Sequence, residues 1–550
     1  MRIPVAARRG ARWCVTARSG RALSAVGCGA LPVLAFPAPS LWWFAPVALV
    51  PWILLLASAP TARRAAYEGW LGGLGFVLAV HHWLIPNLHV FTLVLAALLG
   101  VLWAPWGLLV RALLGGDPSP GRTLAALAAV PSGWLVIERI RSWEGLGGPW
   151  GLLGASQWEV GPALRLASVG AVWLVSLLVV LVNTAVAALI VAPRARTAVL
   201  TAGLGCALTA AAVGYAAPEP REAGRVRIAV VQPGVIGGPG AGLPAERRFA
   251  REEELTRGLV GREVDLVVWG ESGIGADLAE RPDLAERLAA LSRAVGAPLL
   301  VNVDARRPSG QGARPPGEGA IFKSSVLIGT HGPTGDRYDK MRLVPFGEYV
   351  PARGLLGWAT SVGRAADEDR ARGAGPVVLA PGGGAPRLGP LVCFESAFPD
   401  MSRHLARAGA ELLVVQSATS TFQDSWAPAQ HASLAALRAA ETGRPVVHAT
   451  LTGVSAVYGA GGARIGPALS TRTSGTGIYD VPLARGSSPY ARSGDWPVHA
   501  ALTVLAVVCA VAGARSLRRS GPFAPTGPTA PGRSARPART ARGSAERPGR

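Results

Sequence analysis

Lysine is nearly missing from this chain of 550 residues: only Lys323 and Lys340 occur among the 55 basic residues, so 55 − 2 = 53 are arginine. Arginine therefore serves almost every generic cationic purpose. A retained lysine points instead to a task for a compact ammonium with a movable pKa, which a guanidinium cannot perform. Lys340 is the candidate for that task, whereas Lys323 is expected to tolerate replacement by arginine.

Cysteine is scarce too. Of the five, Cys14 lies in a basic N-terminal arm, and Cys28, Cys206 and Cys509 lie in apolar runs, where a thiol behaves as a small hydrophobe. Cys393 alone lies in the single long polar region, so a disulfide framework is excluded there. Histidine between residues 218 and 496 is limited to His331, His404, His431 and His448, none in a glycine-flanked or turn-bounded stretch. A papain-like thiol–imidazole pair is not expected, and neither is a metal or cofactor. The net charge of +21 raises the question of nucleic acid. The arginines, however, cluster at the termini and in short gaps between apolar runs, and no recognition motif accompanies them, which excludes that class.

What is abundant is apolar sequence. Spanning a bilayer takes about 20 mainly apolar residues, and helices are expected near 22–37, 41–58, 67–85, 88–113, 122–140, 165–191, 196–217 and 497–514. The basic arm (Arg2, Arg8, Arg9, Arg12, Arg18 and Arg21) precedes an apolar run that resembles a cleavable signal, but further runs follow at once, favouring a retained first helix. Arginine-bearing gaps alternate with uncharged ones, and positive charge is retained on the cytoplasmic side. Five segments follow: a basic cytoplasmic arm (1–21), seven transmembrane helices (22–217), an extracytoplasmic domain (218–496), a last transmembrane helix (497–514) and a disordered basic cytoplasmic tail (515–550). The outward stretch from Glu138 to Gln157 is too apolar for a solvated loop and too broken for a helix; it reads equally as an interfacial element beneath the polar domain or as a Trp-anchored connector.

In the polar region β-type runs recur at Arg225–Gln232, Val264–Glu271, Pro298–Val303, Phe322–Thr330, Leu388–Phe394, Glu411–Gln416, Pro445–Thr450 and Ser455–Tyr458. Helical stretches at Leu284–Val295, Met401–Ala408 and Ala429–Glu441 lie between them, and Gly234–Pro244 and Ala305–Gly319 read as flexible loops. Alternating strands and helices indicate a layered α/β domain. Cys393 stands at the end of one apolar run, in Pro390-Leu391-Val392-Cys393-Phe394-Glu395-Ser396. A cysteine nucleophile needs a base for its proton and a positive or N–H-rich site for the oxyanion. Glu271, ending a hydrophobic strand, is expected to be poorly solvated, with its pKa raised toward that of a useful base.

These residues resemble the Glu-Lys-Cys triad of the nitrilase (carbon–nitrogen hydrolase) superfamily. The order of spans, the Gly147-to-Gln157 loop, Tyr338-Asp339-Lys340, Leu343-Val344-Pro345-Phe346-Gly347-Glu348-Tyr349 and Cys393-Phe394-Glu395 are together similar to the bacterial apolipoprotein N-acyltransferases. The resemblance implies about eight membrane helices plus a nitrilase-like αββα sandwich in the bacterial cytoplasmic membrane. It implies Glu271 as general base, Lys340 as oxyanion stabiliser, Cys393 as acylated nucleophile and Glu348 as supporting carboxylate. The Phe394 N–H would share the oxyanion site, with Phe394 and Glu395 lining its mouth. The implied partners are a phospholipid acyl donor, a diacylglyceryl apolipoprotein acceptor and the bilayer, with the chain acting as a monomer.

Departures from the family pattern bear on substrate recognition. Gly270 stands where proline is usual, Phe394 where tyrosine is common, Ser417-Ala418-Thr419-Ser420-Thr421-Phe422 replaces an Asn-Asp-x-Trp-Phe pattern, and Gly234–Pro244 supplies no tryptophan. Two rival readings follow, a membrane-tethered amidase that transfers acyl groups to water and a non-catalytic paralogue that kept the fold.

Overall fold

The structure is a computed structural model that describes residues 18–234, 245–307, 319–357 and 368–519. Cys14, most of the basic arm, residues 235–244 and 308–318 of the two expected loops, and the tail beyond Gly521 lie outside the described residues. One compact unit runs to Leu505, and a second begins at Ala506, within the helix Trp496–Arg519.

Helices occur at all eight positions that hydropathy marks, though they differ in length. Among the described residues five are long and apolar enough to cross a membrane: Val90–Leu114, Pro120–Arg141, Gly161–Val191, Pro193–Ala216 and Trp496–Leu517. Ala62–Val80 with His82–Leu88 makes a sixth if that pair, bent by 63°, is one span; Ser19–Ala35 and Trp42–Ala57 are shorter. Small residues let these helices approach closely, as glycine does in membrane bundles generally. A Cβ on Gly72, for example, would run into the Trp52 ring. Trp52, Trp103, Trp106 and Trp134 then fill the interior in edge-to-face contacts.

The polar region folds into two sheets. The first contains β1 (Arg221–Gln232), β2 (Leu266–Trp269), β3 (Leu299–Arg307), β4 (Ala320–Gly329), β5 (Gly332–Asp339) and β11 (Gly475–Arg485), in the order β11-β1-β2-β3-β4-β5. The second contains β6 (Leu388–Val392), β7 (Leu412–Ser417), β8 (Val446–Thr450), β9 (Ser455–Tyr458) and β10 (Arg464–Leu469), in the order β10-β9-β8-β7-β6. Alternate residues of a strand point to opposite faces, and here both faces are apolar. Ile228, Val230, Leu266, Val268, Leu388, Val392 and Val414 form a core between the sheets. Val231, Val267 and Leu299 pack outward under the helices Ala245–Arg257 and Pro282–Val295. Leu391, Leu413 and Val415 face the helix Ala427–Thr442 on the other side. The result is the expected αββα sandwich.

β5, β10 and β11 and the helix Ala245–Arg257 escape periodicity. β5 and β10 are edge strands rich in glycine and proline, paired on one side only. The helix buries Glu252, Glu253 and Thr256 beside Phe249, so it has no apolar stripe to read.

Residues 148–157 of the Glu138-to-Gln157 stretch are buried, and Trp150 among them reaches the sandwich, whereas Ile140 and Trp143 are exposed. Trp150 donates its indole N–H to Gln430 Oε1 at 2.8 Å, and Arg141 holds the Trp150 carbonyl at 2.5 Å. Further along, the helix Gly161–Val191 kinks at Gly170 and Ala171. The Val172 N–H near this break donates to Glu441 Oε1 at 2.9 Å, and Arg438 donates to the same oxygen at 2.7 Å.

Candidate active site

β6 is wholly buried and delivers the chain to Cys393, which opens the short 3-10 turn Cys393–Ala397 with φ of +50°. An L-residue with a side chain rarely adopts this conformation, at a cost of order 1–3 kcal/mol, unless its surroundings enforce it. Glu395 does the enforcing. One of its oxygens accepts the Val392 N–H at 2.8 Å; the other accepts the Tyr338 hydroxyl at 2.7 Å and the Met341 and Arg342 N–H groups at 2.7 and 3.0 Å. This buried carboxylate ties the nucleophile turn to the loop that carries Lys340. It does not line the mouth of the site as the resemblance implies, because it is fully buried.

Four charged groups meet beside the thiol. Lys340 Nζ lies 2.7 Å from Glu348 Oε1 and 3.4 Å from Glu271 Oε1, and Lys323 Nζ lies 2.8 Å from Glu271 Oε1 and 3.0 Å from Glu348 Oε1. Two carboxylates and two ammoniums thus alternate in a neutral cluster, which makes their joint burial tolerable: an unpaired buried charge costs several kcal/mol. Backbone bonds fix each member. The Glu271 N–H donates to the Ser417 carbonyl at 3.1 Å, bridging the two sheets; the Lys340 N–H donates to the Lys323 carbonyl at 2.8 Å; and Glu348 Oε2 accepts the Val344 N–H at 2.9 Å.

Sequence reasoning misjudged two features here. Lys323 is a member of the cluster rather than a dispensable surface lysine; its being one of only two lysines was the available signal. Glu271 also differs from expectation: burial alone would push its carboxyl up, but the Lys323 and Lys340 ammoniums hold it below the ordinary carboxylate range. Glu348 is lowered in the same way, with Lys340 the leading counter-charge to its burial. Lys340 is driven down by burial yet held above its usual value by Glu348 and Glu271, and so remains an ammonium.

The thiol responds oppositely. Burial, reinforced by the Glu271 charge and opposed by Lys340, pushes Cys393 up to about 12. The resting nucleophile is a neutral thiol whose Sγ lies 4.0 Å from the Ala418 carbonyl oxygen.

His431 was missed as well. Its Nε2 lies 3.0 Å from the Cys393 carbonyl and 2.9 Å from Ser396 Oγ, and its Nδ1 is 3.1 Å from Ser417 Oγ. Burial, partly opposed by the Cys393 carbonyl, lowers its pKa to about 4, so it is neutral and braces the turn. In the sequence it is one histidine on an alanine-rich helix, and nothing local distinguishes it.

Residues of the chain's apolar half pack against the segments around the thiol. Phe394 is nearly buried and packs edge-on to Phe398, ring centroids 4.9 Å apart. A Cβ on Gly148 would strike both rings. Trp150 meets His431 with tilted rings at 5.6 Å, and Trp83 meets Trp150 at 5.2 Å and Phe422 at 4.8 Å. Phe422, from the departing Ser417-to-Phe422 stretch, thereby joins an aromatic wall. Gly270 has a local reason too: a side chain there would run into the Leu451 backbone.

Comparison with known proteins gives the chain's family. Residues 28–185 match the family model for the apolipoprotein N-acyltransferase N-terminal domain, and residues 227–488 match that for carbon-nitrogen hydrolase. An apolipoprotein N-acyltransferase of Geobacter metallireducens is 30% identical over 520 residues, covering 90% of this chain and 95% of its own. The chain belongs to the apolipoprotein N-acyltransferase family. A second apolipoprotein N-acyltransferase, from Azotobacter vinelandii, is 31% identical over 528 residues, covering 91% of this chain and 96% of its own. Among solved structures, an amidase from Nesterenkonia sp. is 19% identical and covers 51% of this chain and 97% of its own, with a TM-score of 0.33. As a member of this acyltransferase family, the chain joins an apolar helical part to a carbon–nitrogen hydrolase part.

Proposed function

We propose that this enzyme moves a fatty acyl chain from a membrane phospholipid, through a thioester on Cys393, to the α-amino group of an S-diacylglyceryl cysteine at the N-terminus of an apolipoprotein. The reading rests on one observation above all. A thiol on a strained turn lies beside a neutral four-ion cluster, and Gly148 and Trp150 of the chain's apolar half pack against Phe394 and His431 next to it.

The chemistry follows from the charges. A carboxylate held low cannot deprotonate a thiol at about 12 in advance, so proton transfer accompanies attack. As Cys393 Sγ bonds to the ester carbonyl carbon, its proton passes to Glu271, and the oxyanion takes up the negative charge beside Lys340 and the Phe394 N–H. Collapse breaks the ester C–O bond, and the lysophospholipid alkoxide leaves with the proton from Glu271. The acceptor amine then attacks the thioester, Glu271 receives its proton, and the departing sulfur is reprotonated as the amide forms. Glu348 and Lys323 keep Lys340 and Glu271 in position, and Glu348 keeps Lys340 an ammonium while Glu271 takes up and returns the proton.

The acyl chains stay in the bilayer while the ester reaches the polar domain, which the reading sets on the extracytoplasmic face of the bacterial cytoplasmic membrane, with the chain acting as a monomer. The deciding test is to give the purified enzyme phospholipid alone and look for an acyl adduct on Cys393. Adding a diacylglyceryl peptide should then discharge the adduct as peptide amide. Discharge to free fatty acid at the same rate with or without peptide would favour an amidase-like hydrolase instead.

A further inference from the structure

Away from Cys393, a cleft of about 570 Å³ opens where the first turns of the Gly161–Val191 helix meet the end of β11, the residues after the Arg196–Ala216 helix and the C-terminal end of Ala427–Thr442. Its lining residue Gly443 is twelve positions along the chain from His431, on the order of 18 Å at ~1.5 Å per helical residue. The cleft is therefore separate from the thiol site.

Its position relates it to lipid. Leu200, Leu204 and Leu208 are exposed along the Arg196–Ala216 helix, and Tyr215 at its end is 90% exposed. An apolar outward face closed by an exposed tyrosine marks a lipid-facing span whose ring sits at headgroup level. Pro218 and the next four residues, which line the cleft, follow immediately.

Three arginines set its charge. Arg221 and Arg485 stand directly opposite one another in the antiparallel β1–β11 pair, an arrangement in which like charges repel. Arg492 lines the same cleft. Among the described residues none of these guanidiniums has a carboxylate or hydrogen-bond partner. The two acids of the cleft are already engaged, Glu219 with Arg165 at 2.8 Å and Glu222 with Arg225 at 3.0 Å. Leu164 and Ala440 supply an apolar lining.

We propose that this cleft binds the phosphate diester of an anionic phospholipid. Arg221, Arg485 and Arg492 grip the phosphate and relieve their mutual repulsion, while Leu164 meets the first methylenes. A zwitterionic headgroup would bring an ammonium among three cations and bind less well.

Native mass spectrometry of the full-length protein, loaded with phosphatidylglycerol or phosphatidylcholine, tests the assignment. Wild type is expected to retain phosphatidylglycerol on the order of a hundredfold better than phosphatidylcholine, at roughly 1 kcal/mol for each of the three basic residues near a lipid surface. R221Q/R485Q/R492Q should lose that preference without a lower Tm in lipid-free detergent, while still acylating Cys393. Arg485→Glu alone gives Arg221 an internal partner and should abolish the preference too, whereas Cys393→Ala should keep it. Equal retention of both lipids by wild type, undiminished preference in the arginine variants, or displacement of the lipid by millimolar inorganic phosphate would each overturn the proposal. The last outcome would mark a free-phosphate site.

Discussion

Lys323 Nζ lies 2.8 Å from Glu271 Oε1, closer than Lys340 Nζ at 3.4 Å. The nearer lysine is thus the one that sequence reasoning discounted, and both are needed to balance Glu271 and Glu348. Lys323→Met leaves two buried carboxylates sharing one ammonium, and breaking such a pair costs about 3–5 kcal/mol. A lower Tm should result, with a change in the pH profile. The lowered Glu271 carboxyl now stays ionised as pH falls through the ordinary carboxylate range. Without Lys323 its pKa rises, so the acid limb of kcat/KM should move to higher pH. An unmoved limb with normal transfer would contradict a role for Lys323. Lys323→Arg should also be impaired, since a planar guanidinium cannot occupy the place of a compact ammonium between two carboxylates.

Glu271→Gln should have opposite effects on two reactions of the same thiol. The Glu271 charge helps hold Cys393 up at about 12, so removing it lowers the thiol pKa and should speed alkylation by iodoacetamide near neutral pH. Acyl transfer should slow by roughly 10²–10⁴, the usual contribution of a general base. In wild type, alkylation should rise about tenfold per pH unit through the alkaline range because only the thiolate reacts. Slower alkylation in the variant would mean that Glu271 is too distant to influence the thiol.

The sandwich, the eight helical segments and the thiol, carboxylate and lysine of the site were legible because each rests on a local signal: alternating apolar runs, long hydropathy, a lone polar-region cysteine, a nearly absent residue type. What was not legible depends on partners distant in the chain. Glu271 was expected to have a raised pKa because strand-end burial is visible in the sequence, whereas the lysines 52 and 69 positions away that reverse the shift are not. His431 and the clamp formed by Glu395 were hidden for the same reason. Their meaning comes from groups on other elements.

Glu395→Gln should uncouple the nucleophile turn. Four donors converge on this carboxylate, and an amide, which offers one acceptor oxygen and a competing NH₂, must leave at least one unsatisfied, at about 1–3 kcal/mol. The expected result is a lower Tm and a fall in kcat with little change in KM. Unchanged kcat and Tm would show that the φ of +50° at Cys393 is held by other contacts.

Gly270→Pro, which restores the residue usual in the resemblance, should be harmful in this chain. The added carbons would run into the Leu451 backbone, and overpacking typically costs about 1–3 kcal/mol. Displacement would be passed to Glu271 next door, so transfer should fall together with Tm. Full activity in this variant would mean that the 450–451 segment yields freely.

The central claim is covalent catalysis at Cys393 with lipid as the donor. Its most direct measurement uses purified protein and phospholipid radiolabelled in the acyl chain, with no acceptor present. Wild type should become labelled on Cys393, Cys393→Ala should not, and a diacylglyceryl peptide should then draw the label off as amide. Label reaching the peptide through Cys393→Ala, or turnover by wild type without any enzyme-bound label, would contradict the thioester and require direct transfer between the two lipids.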